Sequence, residues 1–495
     1  MIELPAPDRQ IIARRAQIAA ALSAMVPDGV VSDQATLRAF DRDALTAYGQ
    51  LPLVCVLPET ADQVSAVLAF ASREGLRIVP RGAGTSLSGG ALPLADGILL
   101  GLSRMNKVLE VDYDNRCVVV QPGVTNANVT RAVQARGFYY APDPSSQIAC
   151  TIGGNVAENS GGIHCLKYGL TTHNLLGVEM ALIGGARLRI GGKFSGAGGL
   201  DLLGIVCGSE GLLGVVTEAT LRILPRPPVT RTVLIGFRSA ADAGQCVAEI
   251  IGHGIIPSAL EFMDRLCINA VEAFCAPGYP AAAEAILIAE LDGMPAEVAD
   301  QLAAVSGIAE DCGATDIQDC SGDAERSRVW SGRKSAFGAM GRLKPDMLCM
   351  DGTIPRAALP QMLQHISQLS EQYGLICCNV FHAGDGNLHP LIVFDCMQEG
   401  ELERAEAFGA DILKLCVEMG GVLTGEHGVG VEKKALMPEM FTDADLAQQQ
   451  RLKCAFDAKS QLNPGKVFPV LHACVELGRM HVHDGRLPFA NLPRL

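Results

Sequence analysis

From Leu51 onward the chain alternates short apolar runs with longer amphipathic segments. Residues 53–57 form an apolar run that predicts a strand. Residues 60–74 predict a helix, because their apolar side chains recur at helical spacing. Those side chains belong to Val64, Val67, Leu68 and Ala71. The alternation predicts a domain that mixes helices and strands.

Further short strands are predicted at 76–80 and around 97–102, 108–111 and 117–121. The last three suggest a second small sheet. A helix is predicted after them, at 126–136.

Consecutive prolines within 225–228 predict a domain boundary, because they continue neither a helix nor a central strand. Beyond them we expect an α+β region and then two strongly helical segments, at 401–420 and 443–462. The sequence Asn463-Pro464-Gly465 then predicts a clear stop. Residues 1–50 are expected to be helical and peripheral.

Length and composition predict a globular cytoplasmic protein. The chain has 495 residues, of which 48% are hydrophobic and 19% charged, so two or three domains with sizeable cores are expected. A formal charge of −14 argues against nucleic acid or an anionic membrane as a general partner. The 17 cysteines are scattered, without a signal peptide or a Cys-x-x-Cys motif. Free thiols are therefore expected, rather than disulfides or an iron–sulfur cluster. No apolar run reaches the length of a membrane span.

Two histidines flank a predicted hairpin in residues 381–391, which read Phe-His-Ala-Gly-Asp-Gly-Asn-Leu-His-Pro-Leu. Asp385-Gly386 favours a two-residue type I′ turn, which would place His382 opposite His389 on one face. Two imidazoles so placed can bind one divalent ion, with Glu426 as a third ligand and a position left open for substrate. The alternatives are a polar cross-strand pair and an ordinary Glu-His loop.

A glycine-rich loop follows the predicted strand at 76–80. Residues 81–90 read Arg-Gly-Ala-Gly-Thr-Ser-Leu-Ser-Gly-Gly. Such a run can wrap its backbone N–H groups around a phosphate, with Arg81 as counter-charge. A dinucleotide-binding Rossmann fingerprint is excluded, because Leu87 stands where the third glycine belongs and no clear helix follows. The alternative is a simple turn.

Two later stretches accompany this loop. Residues 153–162 read Gly-Gly-Asn-Val-Ala-Glu-Asn-Ser-Gly-Gly, and residues 208–217, Gly-Ser-Glu-Gly-Leu-Leu-Gly-Val-Val-Thr, open a strand. In this order the three segments resemble the FAD-binding domain of the vanillyl-alcohol oxidase and p-cresol methylhydroxylase flavoprotein family. The histidines of 382–389, Glu426-His427 and the run 463–468 resemble the branch of that family that oxidises D-2-hydroxy acids.

The resemblance implies an α+β fold with a two-part FAD-binding domain, a cap over the flavin ring and a C-terminal return. We expect an N-terminal segment at 1–50, the FAD-binding domain at 51–228, the cap or substrate domain at 229–425, the return at 426–470 and a tail at 471–495. FAD is expected to be bound without a covalent link, because Thr85 occupies the place of the histidine that attaches flavin in some relatives. The expected FAD-binding residues are Arg81, Gly82, Ala83, Gly84, Thr85, Ser86, Gly89, Gly90, Pro142, Asp143, Ser146, Gly153, Gly154, Asn155, Ala157, Glu158, Asn159, Gly161, Gly162, Glu210, Gly211, Val215 and Asn463.

The resemblance also implies roles for residues near the flavin. His382, His389 and Glu426 would bind a divalent metal such as zinc, manganese or iron, which would acidify the substrate hydroxyl. His427 would be the base that removes the hydroxyl proton, and Arg333 would grip the substrate carboxylate.

A small monocarboxylate such as glycolate or D-lactate is the expected substrate. Enzymes for D-2-hydroxyglutarate carry a further lysine for the distal carboxylate, just before the aspartate that matches Asp351. This chain has Cys349 in that place, although Lys344 could compensate. A D-lactate or D-2-hydroxyglutarate dehydrogenase that acts alone is the alternative.

Electrons are expected to leave to a partner protein or a quinone rather than to NAD, because the chain has neither a Rossmann fingerprint nor a cluster motif. The resemblance implies a second flavin subunit and an iron–sulfur subunit, with peripheral contact with the inner membrane through them. Two other classes stay open. One is a metallohydrolase that uses the same histidines without flavin, and the other is a flavin subunit that only transfers electrons.

Overall fold

The computed structural model describes residues 4–194 and 199–469. Its first part is a four-stranded sheet preceded by short helices. The elements are α1 (Arg9–Ala13), α2 (Arg15–Met25), β1 (Val30–Val31), α3 (Gln34–Leu37), β2 (Val54–Val56), α4 (Ala61–Glu74), β3 (Arg77–Arg81) and β4 (Gly97–Gly101). The strand order is β1-β2-β4-β3, and β2, β4 and β3 run parallel.

Helix α4 forms where the sequence predicts it. The side chain of Thr60 accepts a hydrogen bond from the backbone N–H of Gln63 at 3.2 Å, which caps the first turn. Gly75 ends the helix with a φ of 70°, which favours glycine. The four apolar residues that predict the helix pack against the sheet and are fully buried: Val64, Val67, Leu68 and Ala71.

The second sheet has five antiparallel strands in the order β5-β6-β10-β8-β9. This part of the chain contains β5 (Val108–Asp112), β6 (Cys117–Val120), α5 (Asn126–Val133), β7 (Phe138–Tyr139), α6 (Ile152–Glu158), α7 (Cys165–Tyr168), α8 (Thr171–Asn174), β8 (Leu175–Ala181), β9 (Arg187–Gly191), α9 (Leu202–Val206), β10 (Val215–Arg222) and β11 (Leu224–Pro225). The prediction that β4 joins β5 and β6 is wrong, because β4 lies between β2 and β3. All five residues of β4 are buried, which is typical of a central parallel strand.

A seven-stranded antiparallel sheet follows, in the order β15-β12-β14-β13-β17-β18-β16. It is built from β12 (Val229–Phe237), α10 (Ala240–Gly252), β13 (Ala259–Asp264), α11 (Arg265–Cys275), β14 (Ala285–Gly293), α12 (Pro295–Asp311), β15 (Ala314–Asp319), α13 (Asp323–Met340), β16 (Asp346–Cys349), α14 (Leu359–Tyr373), β17 (Ile376–His382), β18 (Pro390–Phe394) and α15 (Glu401–Glu418).

The two faces of this sheet are covered by different helices. Because side chains alternate along a strand, Leu260 and Phe262 of β13 pack with α10, α12, α14 and α15, whereas Ala259 and Met263 pack with α11 and α13. Glu261 therefore faces α13, and its side chain is only 1% exposed. A buried carboxylate at this place requires partners, and the active site supplies them.

The chain then returns to the first sheet through α16 (Met437–Met440) and α17 (Asp443–Phe456). Helix α17 ends at Phe456 rather than at 462, because the buried Asp457 pairs with Lys453 and accepts the backbone N–H of Leu462 at 2.7 Å. Leu462 then forms a parallel bridge with Ile78 of β3. Within the described ranges, no helix combines the length and apolar character needed to cross a bilayer.

The residues after this bridge hold the glycine-rich loop. The side-chain amide of Asn463 donates to the carbonyl oxygens of Gly90 at 3.0 Å and Glu210 at 2.7 Å. Lys466 is fully buried and donates to the carbonyl oxygen of Leu92 at 2.8 Å. The C-terminal return thus fixes the end of the loop and the start of β10 at the same time.

Glu290 of β14 accepts hydrogen bonds from the part of the chain that forms the seven-stranded sheet and contacts a histidine from the part before it. Its buried carboxylate accepts hydrogen bonds from Trp330 Nε1 at 2.9 Å, Arg326 Nε at 2.9 Å and Thr232 Oγ1 at 3.0 Å. His164, which precedes α7, brings its Nε2 to 3.2 Å from the same carboxylate.

The other ring nitrogen of His164 lies 2.8 Å from Asp143 Oδ2. Burial alone would lower the pKa of His164, but Asp143 and Glu290 together raise that pKa to about 10. The histidine is therefore a cation that ties the part of the chain with the five-stranded sheet to the seven-stranded sheet.

Replacement of Glu290 by glutamine is expected to lower the free energy of unfolding by about 1–3 kcal/mol, because it removes the buried charge to which His164, Arg326 and the Trp330 indole bind. Urea unfolding can be followed by the fluorescence of Trp330, the single tryptophan, whose indole N–H donates to Glu290. Glu284→Gln is the matched control, since Glu284 is exposed at the start of the same strand, and it should stay within about 0.5 kcal/mol of the wild type. Equal stabilities of the two variants would contradict this account.

Candidate active site

The hairpin of β17 and β18 carries both predicted histidines, but its turn differs from the prediction. Gly386 has a φ of 82°, whereas Asp385 is not among the described residues with positive φ, so no type I′ turn forms. The Asp385 carboxylate instead accepts the backbone N–H of Asn387 at 3.0 Å. His382 pairs with Asn387 across the hairpin. The predicted register, with His382 opposite His389, is wrong.

The structure nevertheless brings His382, His389 and Glu426 together. The Nε2 atom of each histidine lies 3.3 Å from Glu426 Oε1, and the ring centroids are 5.0 Å apart. Nδ1 of His382 lies 2.7 Å from Glu261 Oε1, which fixes the ring with Nε2 towards Glu426. Burial alone would raise the pKa of Glu426, but hydrogen bonds from both histidines hold that pKa well below its usual range. Three donor atoms within 4.8 Å of one another could hold a metal ion.

A single carboxylate holds the loop that carries Glu426. Asp351, which is fully buried, accepts the side-chain hydroxyl of Thr424. It also accepts the backbone N–H groups of Gly425 at 3.1 Å, Glu426 at 3.2 Å and His427 at 2.9 Å. Because four donors of one short segment converge on one side chain, the direction of Glu426 and His427 depends on Asp351.

His427 lies against His389, with ring centroids 4.9 Å apart and an interplanar angle of 17°. Its Nδ1 is buried and has no hydrogen-bond partner among the residues that the structure describes. Burial lowers the pKa of His427 to about 4, against the opposing effect of the Asp351 carboxylate. The imidazole is therefore neutral at pH 7 and able to accept a proton.

Arg333 is buried rather than exposed on its helix, with 2% of its surface accessible. Its Nε and Nη2 both lie 2.7 Å from Glu261 Oε2, so the arginine, Glu261 and His382 form one chain of contacts. Arg333 does not line the cavity, whereas the next residue, Lys334, does. The assignment of Arg333 to the substrate carboxylate stays a prediction.

A cavity of about 490 Å³ extends from the histidine cluster along the glycine-rich loop. Its wall includes His389, Glu426 and His427. It also includes seventeen of the predicted FAD-binding residues: Arg81, Gly82, Ala83, Gly84, Thr85, Ser86, Gly90, Ser146, Gly153, Gly154, Asn155, Ala157, Glu158, Glu210, Gly211, Val215 and Asn463.

Six predicted FAD-binding residues lie outside the cavity wall: Gly89, Pro142, Asp143, Asn159, Gly161 and Gly162. The structure shows a supporting contact at two of them, Gly161 and Asp143. A side chain at Gly161 would collide with the Glu426 carboxylate, so glycine is needed for the loop of Glu426 to approach. Asp143 binds His164, as described above. The assignment of these six residues to FAD stays a prediction.

Buried polar atoms of the cavity wall lack partners in the described chain. They include Thr151 Oγ1 and Glu158 Oε2. Burial and the neighbouring carboxylate of Glu210 raise the pKa of Glu158 well above its usual range. A ligand with both donors and acceptors, such as the flavin and pyrophosphate of FAD, fits such a wall.

Three residues of the site escaped the sequence reasoning. Thr151 carried a signal, since it lies two residues before the glycine pair of the second motif. Phe337 also carried one, because it follows Arg333 by one helical turn, and its ring lies 6.4 Å from that of His389. Glu261 carried none, because the sheet alone brings it to His382.

This fold, with a glycine-lined cavity that ends at a histidine–glutamate cluster, defines an FAD-linked oxidase, and the chain belongs to that family. Residues 52–191 match the model of the FAD binding domain, and residues 226–467 match the model described as FAD linked oxidases, C-terminal domain. The predicted family is confirmed. The chain is an FAD-dependent oxidoreductase, so the metallohydrolase alternative is dropped.

Several named relatives are similar over most of their length. Glycolate oxidase subunit GlcD of Escherichia coli (strain K12) is 52% identical over 92% of this chain and 91% of its own. The Bacillus subtilis protein of the same name is 37% identical over 89% and 94%, and D-lactate dehydrogenase of Archaeoglobus fulgidus is 34% identical over 84% and 91%.

Solved structures agree on the fold. The 4-ethylphenol oxidase of Gulosibacter chungangensis gives a TM-score of 0.78 at 18% identity, over 94% of this chain and 99% of its own. p-Cresol methylhydroxylase gives 0.77 at 16% identity, over 94% and 98%. The predicted fold class is confirmed.

Replacement of Asp351 by alanine is expected to release the loop of Glu426 and His427. Loss of the buried acceptor costs about 1–3 kcal/mol, so amide hydrogen exchange in a peptide covering 424–428 should become roughly tenfold to a hundredfold faster. Asp346→Ala is the control, because Asp346 lies five residues earlier, at the start of β16, and accepts only one N–H that the structure shows, from Cys396. Unchanged exchange in the Asp351 variant would remove Asp351 from this role.

Proposed function

We propose that this protein oxidises a small D-2-hydroxy acid, such as glycolate or D-lactate, to the 2-oxo acid. One observation carries the proposal: the cavity that holds the glycine-rich loop also reaches His389, Glu426 and His427. A flavin bound along the loop would share one space with a base and with a cluster suited to a metal. The relatives named glycolate oxidase subunit and D-lactate dehydrogenase support this substrate class.

The residues present fit a divalent ion. His382, His389 and Glu426 place one oxygen and two nitrogen atoms close together, with both Nε2 atoms 3.3 Å from Glu426 Oε1. Three protein ligands leave coordination positions for a substrate. When bound, the ion would supply Lewis acidity that makes the substrate hydroxyl easier to deprotonate. Zinc, manganese and iron are all compatible with this ligand set.

His427 is the proposed base. It is neutral at pH 7, borders the cavity and stacks on a metal-ligand candidate, so it can take the hydroxyl proton at a ring nitrogen. The flavin supplies the acceptor for the hydrogen and electrons that leave C2. Lys334 at the cavity wall provides positive charge for the substrate carboxylate, and Arg333 would have to leave its ion pair with Glu261 to reach that carboxylate.

A monocarboxylate suits this site better than a dicarboxylate. Cys349 is buried beside Asp351 and offers no positive charge to a distal carboxylate. Lys344, which could have compensated, lies 3.7 Å from the carboxylate of Glu401 and does not line the cavity. D-2-hydroxyglutarate is therefore the disfavoured substrate.

We further propose that electrons pass to a partner or a quinone. Relatives named as subunits support a complex, for which a second flavin subunit and an iron–sulfur subunit are the proposed members. A cytoplasmic location, with peripheral contact with the inner membrane through these partners, belongs to the same proposal.

The proposed function is tested by anaerobic titration of the purified yellow protein. Glycolate or D-lactate should bleach the flavin spectrum, whereas L-lactate and D-2-hydroxyglutarate should do so far less. An artificial dye should restore the colour and NAD should not. Acid precipitation should then leave FAD in the supernatant, since no covalent link is proposed. A spectrum that none of these hydroxy acids changes would overturn the proposal.

His382→Ala is expected to lose bound metal and activity together while it keeps FAD. The histidine is one of three metal-ligand candidates, and it lies outside the cavity wall that the glycine-rich loop forms. Elemental analysis beside the flavin spectrum measures both groups in one sample. Full activity in demonstrably metal-free wild-type enzyme would contradict the metal's role.

His427→Ala is expected to keep FAD and metal and to reduce its flavin roughly 10²–10⁴-fold more slowly, the usual contribution of a positioned base. A base works only when neutral. Wild-type reduction should therefore be constant above about pH 6 and fall as the pH approaches the lowered pKa of about 4. Stopped-flow reduction across pH isolates this step. A variant that reduces at the wild-type rate, or that loses its metal, would show that His427 is not the base.

A further inference from the structure

Cys349 and two histidines form a second cluster beside the proposed metal site. The Sγ atom of Cys349, one ring nitrogen of His389 and one of His427 all lie within 4.8 Å of one another. The cluster arises from the sheet, because Cys349 pairs with Leu391 across β16 and β18, and His389 lies two residues before Leu391. The side chains of Cys349 and His389 therefore share one face.

Two of these three side chains carry a buried nitrogen atom without a good hydrogen bond. His389 is 3% exposed, and its Nε2 makes only loose contacts, at 3.3 Å with Glu426 Oε1 and 3.6 Å with Asp351 Oδ1. The buried Nδ1 of His427 has no hydrogen-bond partner in the described chain. Cys349 has only a weak contact, from Sγ to the carbonyl oxygen of Met350 at 3.6 Å. Burial of an imidazole nitrogen without a good hydrogen bond costs free energy, and a ligand that binds the nitrogen recovers that cost.

We infer that Cys349, His389 and His427 bind a thiophilic divalent cation such as Zn²⁺ or Cd²⁺, at a site distinct from the His382–His389–Glu426 cluster. One thiolate and two imidazoles are a ligand set that zinc accepts, whereas the oxygen-containing cluster also suits harder ions such as manganese. The ion displaces the thiol proton, which leaves to solvent, and water completes the coordination.

The geometry needs only a small adjustment. Ligand atoms of a tetrahedral zinc site with bonds of about 2.0–2.3 Å lie roughly 3.4–3.7 Å apart. Rotation of the Cys349 side chain and of the two rings closes the remaining gap of at most about 1 Å. Cys349 loses only its weak contact with Met350, and His389 exchanges its 3.3 Å contact with Glu426 for the ion.

The two clusters share His389, whose Nε2 binds one ion at a time, so an ion in the second cluster competes with one in the first and also takes His427. If His427 is the base, an ion held by Cys349 removes it from the reaction, so excess zinc inhibits the enzyme. This consequence rests on the proposed function, whereas the binding site itself does not.

Cadmium titration tests the site, because a cadmium–thiolate bond gives a charge-transfer band in the ultraviolet. The exposed Cys275, Cys396 and Cys454 are first alkylated in the native holoenzyme, so that buried thiols dominate the signal. The wild type should then show a saturable band that Cys349→Ser lacks. Cys378→Ser is the matched control. Cys378 is also buried and also pairs with Leu391, but from β17 rather than from β16, and its variant should keep the band.

His382→Ala separates the two clusters. It removes a ligand of the oxygen-containing cluster only, so it should keep the cadmium–thiolate band. Loss of an outer partner of a metal ligand weakens metal binding roughly tenfold to hundredfold, and loss of a direct ligand should weaken it more. In Cys349→Ser, half-inhibition of dye reduction should therefore require a Cd²⁺ concentration at least roughly tenfold to hundredfold higher than in the wild type.

The flavin spectrum confirms folding of each variant. A full band in Cys349→Ser, or a wild type without any band, would overturn the inference. Because the band is read without turnover, failure of the proposed reaction would leave it in place.

Discussion

The candidate active site depends on the carboxylate of Asp351. A buried carboxylate is costly unless its charge is met by donors, and Asp351 meets it with four donors from one loop. Lys433 adds a buried ammonium 3.8 Å away. The charge therefore forces the loop into one path, and that path delivers Glu426 to the histidines of the hairpin and His427 to the cavity. The proposed metal site and the proposed base thus both depend on how one negative charge is neutralised.

A second electrostatic layer lies on the inner face of the seven-stranded sheet. Glu261 and Glu290 stand on neighbouring strands and are met by residues from one side of α13. Arg326 and Trp330 bind Glu290, and one turn further Arg333 binds Glu261. The helix is thereby held in register over the sheet, which puts Lys334 and Phe337 at the cavity. Glu290 also contacts His164 from the part of the chain with the five-stranded sheet, so the two parts are aligned by the same layer.

The sequence predicts features whose physical cause is local. The cap, the apolar spacing and the terminal glycine of helix α4 all lie within a single stretch. The composition of the glycine-rich loop alone predicts that its backbone can approach a ligand closely. The three ligand candidates were also found, although for a partly wrong reason. Asp385 satisfied its carboxylate on Asn387 rather than adopting positive φ, which changed the hairpin register.

Features that depend on distant pairing could not be predicted. Glu261 meets His382 only because β13 lies beside β17, and nothing near either residue encodes that neighbour. The burial of Arg333 has the same origin, since a charged pair on a helix suggests solvent until a buried partner is known. The place of β4 in the first sheet was missed because strand order is set by packing of whole layers.

The C-terminal return has a consequence for how the protein is made. Asn463 closes the wall of the FAD cavity and holds Gly90, which the ribosome produces long before it. Domains generally fold in the order of synthesis, and contacts of such wide sequence separation form late. The first sheet can assemble early, but its cavity stays incomplete until the segment after α17 emerges. Completion of the cavity is thus a late event in folding, because it waits for a segment that is made 373 residues after Gly90.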